Sequence, residues 1–259
     1  MTRLKTLFDL TGRTALVTGG SRGLGLQICE ALGEYGAHVI LTARKADELA
    51  AAVAHLAAMG ISASSVQADV GQPDAAAQVM DVIEAEGRRV DILVNNAGTS
   101  WGSTTEDMPL DGWNKLLAVN LTAPFLLAQQ AAKRFMIPAG WGRILNVASV
   151  EGLLGHHPRM TGTIAYNASK GGLINFTRAL AAEWGAKGIT ANALAPGYFP
   201  SRLTGYVLDK HGADLTADTP SGRLGNDDDL KGAALLLVTD AGAHITGQVL
   251  AIDGGASII

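Results

Sequence analysis

Cysteine is almost absent from this sequence: Cys29 is the single one among 259 residues, so no internal disulfide can form. It lies among Leu26, Ile28 and Leu32 in a helical pattern, and no basic side chain stands obviously beside it to generate a thiolate. We therefore interpret Cys29 as a buried structural thiol rather than a nucleophile. A lone thiol fits a reducing compartment, and we expect a cytoplasmic protein.

Runs of positive charge and long apolar runs are also missing. The net charge is −4 and Lys and Arg form no cluster, so nucleic acid is not an expected partner. The segment from Met1 to Leu10 mixes polar and apolar residues, unlike a signal peptide, and no later segment stays apolar long enough to span a bilayer. We expect no membrane partner either.

What the sequence does contain is a repeated alternation of short β-branched runs with longer helical patterns rich in Ala and Leu. The 47% hydrophobic and 17% charged residues are typical of a globular protein. No linker interrupts the alternation, so we expect a single domain over residues 1–259 rather than two small ones. The pattern predicts the α/β class, with a parallel sheet covered by helices on both faces.

The alternation gives positions for seven strands and six helices. The predicted strands are Thr14 to Thr18, His38 to Ala43, Ala63 to Gln67, Asp91 to Asn95, Arg143 to Ala148, Thr190 to Ala195 and Gln248 to Ile252. The predicted helices are Leu24 to Tyr35, Asp47 to Met59, Asp74 to Glu86, Asp111 to Met136, Ala165 to Lys187 and Asp228 to Ala241, several with Asp as the N-cap. The carboxyl ends of parallel strands share one edge of a sheet, so motifs that follow different strands are expected to converge.

A glycine-rich turn, Thr18 to Gly25, links the first predicted strand to the first helix. Gly19 permits a tight turn, Gly23 lets the backbone approach a pyrophosphate, and Gly25 lets the helix pack close to the sheet. A flexible connection is the alternative interpretation, but the position between strand and helix favours dinucleotide binding. The contacts expected from this turn are Gly19, Ser21, Arg22, Gly23, Leu24 and Gly25.

The residues after the second strand indicate which dinucleotide is bound. Arg44 and Lys45 stand where an acidic residue would bind the ribose 2′-hydroxyl of NAD. Together with Arg22 they would instead pair with a 2′-phosphate, because guanidinium forms charge-assisted hydrogen bonds to phosphate oxygens. We expect NADP(H) to be preferred over NAD(H); the alternative is that Arg44 and Lys45 are solvated residues at a helix start.

Tyr166 and Lys170 are four positions apart in a helical pattern, so their side chains emerge on one face. A nearby ammonium stabilises a phenolate, and we expect Lys170 to lower the pKa of Tyr166 toward neutrality. Such a pair suits proton transfer, although by itself it also fits a surface tyrosine and a solvated lysine.

In combination these motifs resemble the short-chain dehydrogenase/reductase family. The resemblance covers nearly the whole chain and implies a Rossmann-type doubly wound sheet. It rests, in chain order, on Gly19 to Gly25, Asn95 to Gly98, Asn120, Ser149, Tyr166 to Lys170, Pro196-Gly197 and Asp253 to Gly255.

The family resemblance implies a role for each residue of a catalytic tetrad. Tyr166 would be the acid in reduction and the base in oxidation, and Lys170 would hold the nicotinamide ribose. Ser149 would hydrogen-bond the substrate oxygen, and Asn120 would hold a helix kink and a water that relays protons to Lys170. Further cofactor contacts implied in this way are Asp69, Val70, Asn96, Ala97, Gly98, Tyr166, Lys170, Pro196, Gly197 and Ser201.

Two departures from the family pattern stand out. Ser149 and Tyr166 are seventeen positions apart, so the loop over residues 151–164 is about four residues longer than usual. Its His156 and His157 are candidate substrate contacts or simply polar loop residues, and we expect no metal site. Asp227 stands where the family usually has Pro, from which we expect only a local effect on stability.

The resemblance implies a small-molecule substrate with a carbonyl or a secondary alcohol. The stretch Pro196 to Thr204 resembles gluconate 5-dehydrogenase-like and some 3-oxoacyl reductase-like members, so a sugar acid, a 3-oxoacyl group or a broad range of ketones all stay open. Trp101 and a lid over residues 198–220 should line the pocket, and Arg159 or Arg202 could pair with a substrate carboxylate. A cofactor-sensing protein without activity is the remote alternative. The resemblance also implies a homotetramer.

Overall fold

A seven-stranded sheet with all strands parallel organises the chain, in the order β3-β2-β1-β4-β5-β6-β7. The computed structural model describes residues 3–156 and 160–259. The strands are β1 Thr14–Thr18, β2 His38–Ala43, β3 Ala63–Gln67, β4 Ile92–Asn95, β5 Gly142–Val147, β6 Ile189–Pro196 and β7 Val249–Ile252. This confirms the predicted Rossmann-type doubly wound α/β fold and all seven strands.

Ten α-helices within the described residues accompany the sheet. They are α1 Leu4–Leu7, α2 Gly23–Glu34, α3 Ala46–Ala58, α4 Ala75–Ala85, α5 Leu110–Leu117, α6 Ala123–Ala131, α7 Ile137–Ala139, α8 Ile164–Trp184, α9 Gly205–Asp218 and α10 Lys231–Val238. No helix in this part of the chain is long and apolar enough to cross a membrane.

The hydrophobic core lies on both faces of the sheet. One cluster joins β1 and β2 to helices α2, α3 and α10, and includes the fully buried Cys29. A second cluster joins the opposite face to α4 and α6. Burial raises the pKa of the Cys29 thiol, so it stays protonated, in agreement with its interpretation as a structural residue.

The single helix predicted from Asp111 to Met136 is wrong in detail. The helical run continues to Ala139 and is interrupted by two π-helical segments, Ala118–Thr122 and Ala132–Met136. The second precedes Pro138, which cannot donate a backbone hydrogen bond, and Gly140 ends the run with a φ of 62°. The first contains Asn120, where the resemblance implied a kink.

Of the predicted Asp N-caps, only Asp74 stands at the cap position, and the others are wrong. Asp47 and Asp111 lie inside the first turns of α3 and α5, where their charge favours the positive helix end. Asp74 does occupy the cap position of α4, but its carboxylate accepts a hydrogen bond from Gln78 Nε2 instead of a backbone N–H. Asp228 precedes α10, and Leu230 is the cap residue there.

Helix α9 was not apparent from apolar spacing and lies within the predicted lid. Leu215 is the one buried residue of α9, so the helix buries no continuous apolar face against the core. It follows β6 and therefore rises from the same edge of the sheet as the catalytic candidates.

Candidate active site

The turns that follow β1 and β4 are joined by side-chain hydrogen bonds at the carboxyl edge of the sheet. Asn96 Nδ2 donates to the carbonyl oxygens of Thr18 and Gly19, at 2.9 and 3.1 Å. Thr18 Oγ1 accepts from the backbone N–H groups of Asn96 and Ala97, each at 3.0 Å. These bonds fix the turns at the point where strand order reverses, which is the usual ligand site of such sheets.

The glycine-rich turn has the shape that a pyrophosphate requires. Gly19 and Gly23 have φ values of 64° and 53°, which L side chains rarely adopt. A Cβ at Gly25 would overlap the carbonyl oxygen of Gly19 and the amide of Asn96. A Cβ at Gly23 would meet no described atom within 4 Å and would fill the space before the N-terminus of α2. The residues therefore fit a dinucleotide phosphate at a helix N-terminus.

Positive side chains gather beside this turn around Glu48, a residue that sequence reasoning missed. Glu48 Oε1 lies 2.7 Å from Arg22 Nη1 and 3.1 Å from Lys45 Nζ. Arg202 Nη1 is 3.9 Å from the same oxygen, so it points toward this end of the site rather than toward Ser149 or Tyr166. Arg44 is exposed at the end of β2, and its carbonyl oxygen accepts from Gln67 Nε2. The same cations could bind a phosphate in place of the carboxylate.

Asn120 is fully buried and uses both ends of its amide. Its Oδ1 accepts from the N–H of Thr99 at 2.9 Å, and its Nδ2 donates to the Thr99 carbonyl oxygen and to Ser169 Oγ. A Cβ at Gly98 would lie 3.5 Å from Asn120 Oδ1 and 3.6 Å from Lys170 Nζ. Asn120, Gly98 and Lys170 therefore share one small region after β4.

Lys170 is buried, with 3% of its surface exposed. Its Nζ donates to the carbonyl oxygen of Val147 at 2.7 Å and lies 5.6 Å from the centre of the Tyr166 ring. Burial lowers the pKa of Lys170 to about 8, because the charged ammonium loses hydration. The hydrogen bond to Val147 therefore holds the Lys170 ammonium at the end of β5, beside Ser149.

The expected lowering of the Tyr166 pKa by Lys170 is not found in this structure. Burial raises the pKa of Tyr166 to about 12, and the negative charge of Glu151 adds to the increase. A hydrogen bond with the Ser149 hydroxyl acts in the opposite direction. The ammonium is directed toward the Val147 carbonyl oxygen, so its effect on the phenol is small.

A family profile described as short chain dehydrogenase matches residues 13–211. The chain belongs to the short-chain dehydrogenase/reductase family. Gluconate 5-dehydrogenase of Gluconobacter oxydans is 40% identical over 254 residues, which cover 97% of each chain. The 3-oxoacyl-(acyl-carrier-protein) reductase FabG of Escherichia coli is 37% identical over 251 residues, covering 97% of this chain and all of that protein.

Solved structures of this family share the fold closely. A gluconate 5-dehydrogenase from Burkholderia cenocepacia, in complex with NADP and tartrate, superposes with a TM-score of 0.93 at 35% identity, covering 99% of this chain and 100% of that one. The named relatives are dehydrogenases and reductases, so this member of the family is an oxidoreductase and not a cofactor sensor without activity.

The longer loop before Tyr166 leaves Ser149 at the end of β5, as expected for this family. Its Oγ accepts from the N–H of Glu151 at 3.2 Å. On the far side of the loop, Thr163 forms a bridge with Ser103, so the segments after β4 and before α8 are neighbours. His157 and Arg159 lie outside the described residues. Among the described residues, no group of three His, Cys, Asp or Glu side chains could hold a metal ion.

The remaining predicted cofactor contacts lie along the same edge of the sheet. Asp69 Oδ1 accepts from the N–H of Gly71, and Val70 packs against the second core cluster. Pro196 ends β6, and a Cβ at Gly197 would lie 2.9 Å from Asp253 Cβ, which explains the glycine. The Ser201 hydroxyl is 2.9 Å from Thr204 Oγ1 and is therefore held by a local bond.

Asp227 forms a contact outside its own segment. Its Oδ1 accepts from Gln27 Nε2 of α2 at 2.9 Å, so the segment before α10 is attached to the helix of the glycine-rich turn. A proline at this position would lack that bond.

The low pKa of Lys170 predicts how the free energy of unfolding changes with pH. The unfolded chain keeps this lysine protonated up to a pKa near 10.5, whereas the folded chain releases the proton near 8. Burial of the charge therefore costs stability below pH 8, and this cost disappears as the pH rises toward 10.5. Relative to Lys170→Met, the wild type should gain on the order of 1 to 2 kcal/mol of unfolding free energy between pH about 7.5 and about 9.5.

Urea unfolding of both proteins at the two pH values measures this change. Lys187→Met, at an exposed lysine, serves as the matched control and should differ from the wild type equally at both pH values. A constant difference between wild type and Lys170→Met would contradict an ammonium buried at this position.

Proposed function

We propose that this family member is an NADP(H)-dependent oxidoreductase that interconverts a carbonyl and a secondary alcohol, with Tyr166 as the acid and base. The observation that carries the proposal is the meeting of Ser149, Tyr166 and Lys170 at the end of β5, on the sheet edge that also holds the glycine-rich turn. Proton-transfer groups and a dinucleotide cradle on one edge are what this reaction needs.

In reduction, Tyr166 donates its proton to the oxygen of the substrate. Its pKa of about 12 keeps the phenol protonated near neutral pH, and Ser149 offers a second hydrogen bond to the same oxygen. NADPH, when bound, supplies the hydride for the carbonyl carbon. In oxidation Tyr166 must accept the proton, and the Lys170 ammonium, which is charged below a pKa of about 8, would have to stabilise the phenolate more strongly than it does in this structure. Asn120 would support Lys170 through a bridging water.

The preference for NADP(H) over NAD(H) is supported by Arg22 in the glycine-rich turn and by Arg44 and Lys45 after β2. Arg22 and Lys45 already bind one anionic oxygen of Glu48, which has the charge and hydrogen-bonding character of a phosphate oxygen. Several structural relatives carry bound NADP, among them the Burkholderia cenocepacia enzyme.

For the substrate we propose a sugar acid, as in gluconate 5-dehydrogenase-like members. The similarity to gluconate 5-dehydrogenases over nearly the full chain supports this choice. A 3-oxoacyl reductase is the second candidate, because FabG matches over a similar length. A ketone reductase of broad specificity is the third.

A panel of carbonyl compounds tests the proposed reaction. NADPH oxidation is followed with ketogluconates, ketoacyl thioesters and simple ketones, and the reverse reaction with the matching alcohols. We expect turnover with at least one class and the highest kcat/KM with a ketogluconate. Absence of turnover with all three classes would refute the proposed reaction, and the highest rate with a thioester would favour the 3-oxoacyl assignment.

The same proposal includes a cytoplasmic location, a lid over residues 198–220 and a homotetramer. Helix α9 occupies most of the lid segment and has little buried surface of its own. The C-terminal residues Ile258 and Ile259 are 83% and 81% exposed, as is unusual for apolar side chains that have no partner. Contact between subunits would cover them.

A further inference from the structure

Glu151 places a carboxylate two residues beyond Ser149, in a loop that the reaction described above does not use. One of its oxygens, Oε2, is held firmly: it accepts from Asn167 Nδ2 at 2.7 Å and lies 3.1 Å from His156 Nδ1. Asn167 also donates to the backbone carbonyl oxygen of Glu151 at 2.8 Å. The side chain is 15% exposed, so its direction is fixed from two sides.

The other oxygen, Oε1, faces Tyr198, which follows the end of β6. Within the described chain its hydrogen-bond partner is the hydroxyl of Tyr198, at a long 3.4 Å. Tyr198 directly follows Pro196 and Gly197, and the charge of Glu151 raises the pKa of both Tyr198 and Tyr166. Oε1 therefore lies beside the Tyr198 hydroxyl, at a distance that leaves it capacity to accept a stronger hydrogen bond, and the carboxylate is near enough to Tyr166 to affect its pKa.

We propose that Glu151 is a specificity-determining residue whose Oε1 accepts a hydrogen bond from a substrate hydroxyl on the carbon beside the reacting carbonyl. This inference rests on the proposed reaction. A carboxylate accepts but does not donate, so its partner must carry an O–H or N–H group. A substrate with CH₂ at this position would leave the carboxylate without a partner after water is displaced, which is unfavourable.

The inference separates the two main substrate candidates. A keto sugar acid carries hydroxyl groups on the carbons next to its ketone, whereas a 3-oxoacyl chain carries CH₂ groups there. The negative charge also disfavours a substrate carboxylate at this end of the pocket, so the acid group of a sugar acid would lie at the other end. Glu151 thus favours hydroxylated ketones and determines their orientation.

Hydroxyacetone and butanone test this role, because they differ only in a hydroxyl that replaces a methyl group. The ratio of their kcat/KM values is measured in the wild type, Glu151→Ala and Glu151→Gln. Intrinsic carbonyl reactivity cancels when ratios are compared between variants. We expect the preference for hydroxyacetone to fall by about tenfold to a hundredfold in Glu151→Ala, since a hydrogen bond to a charged group is lost.

Glu151→Gln keeps the shape and an acceptor oxygen for Asn167, so it should fold even if the alanine variant does not. We expect an intermediate ratio from this variant, because the amide NH₂ group replaces Oε1 and can only donate an uncharged hydrogen bond to the substrate hydroxyl. Glu183→Gln, at an exposed position on α8, is the matched control and should keep the wild-type ratio. Turnover of butanone in each variant reports that the catalytic groups are intact.

Ligand-observed NMR measures the binding of the two ketones to the enzyme loaded with NADP⁺. The ratio of the two affinities can then be compared between variants without any turnover. If the binding ratio changes between the wild type and the variants while none of these proteins turns over either ketone, the proposed reaction is refuted and the role of Glu151 is supported. Equal ratios in wild type and both variants, or no binding of hydroxyacetone to the wild type, would overturn the role of Glu151.

Discussion

Replacing Tyr166 with Phe is expected to reduce kcat/KM for carbonyl reduction by about a hundredfold to ten-thousandfold, since acid-base catalysis by a positioned group contributes roughly 10² to 10⁴ in rate. The change removes one hydroxyl and leaves the ring in place. The affinity for NADP⁺ should stay within about twofold of the wild type, because the phosphate-binding turn follows β1 whereas Tyr166 lies on α8. Steady-state kinetics and titration of intrinsic fluorescence with NADP⁺ measure the two quantities.

Tyr198→Phe is the matched control for this experiment. Tyr198 is the second phenol near Glu151, and burial also raises its pKa. Because it does not contact Ser149 within hydrogen-bond distance, it should retain most of the wild-type kcat. Normal turnover by Tyr166→Phe would remove Tyr166 from the mechanism, and loss of turnover only in Tyr198→Phe would transfer the role to Tyr198.

The strands were the part of the fold that the sequence predicted best. β1, β2 and β3 have the predicted ends, β4 and β7 begin one residue later than predicted, and β5 and β6 differ by one residue at both ends. The five central strands are largely buried and mostly apolar, a pattern that can be recognised without knowledge of the neighbouring strands, whereas β3 and β7 are only partly buried. The helices were less certain, since π-helical segments arise from contacts such as those of Asn120 with Thr99 and Ser169, which periodicity does not contain.

The candidate tetrad could be named from the sequence, but the electrostatics of the site could not. A spacing of four predicts that Tyr166 and Lys170 share a helix face, and the structure places Lys170 Nζ 5.6 Å from the Tyr166 ring centre. Which group the ammonium binds depends on the Val147 carbonyl oxygen, more than twenty positions away in sequence. The pKa of Tyr166 depends in the same way on how much protein surrounds the ring.

Glu48 and Glu151 show which functional candidates a motif search misses. Glu48 meets Arg22, a residue of the preceding helix N-terminus, and Glu151 meets Asn167 across a long loop. Neither carboxylate belongs to a family motif. A chemical signal was nevertheless present: each acidic residue lies within five positions of a strand end, at the edge where ligands bind.

The second large effect is expected at the cofactor site. The double variant Arg22→Ala/Arg44→Ala should lower kcat/KM with NADPH by about a hundredfold and change the value with NADH by less than about threefold, because charge-assisted hydrogen bonds contribute roughly 1.5 to 3 kcal/mol each. The same double variant should bind NADP⁺ more weakly than the wild type and NAD⁺ about equally well. Dissociation constants measure this difference without any turnover. Lys187→Ala, at an exposed lysine away from β2, is the matched control.

Glu48→Gln tests the same charges from the opposite side. Arg22 and Lys45 both contact Glu48 Oε1, so a 2′-phosphate must compete with that carboxylate for its two cations. Removing the negative charge should tighten NADP⁺ binding by about threefold to tenfold and leave NAD⁺ binding nearly unchanged, with the gain diminishing at high salt. If instead the wild type binds NAD⁺ more tightly than NADP⁺ and Glu48→Gln weakens NAD⁺, then Glu48 holds the ribose hydroxyl and the cations are solvated surface residues.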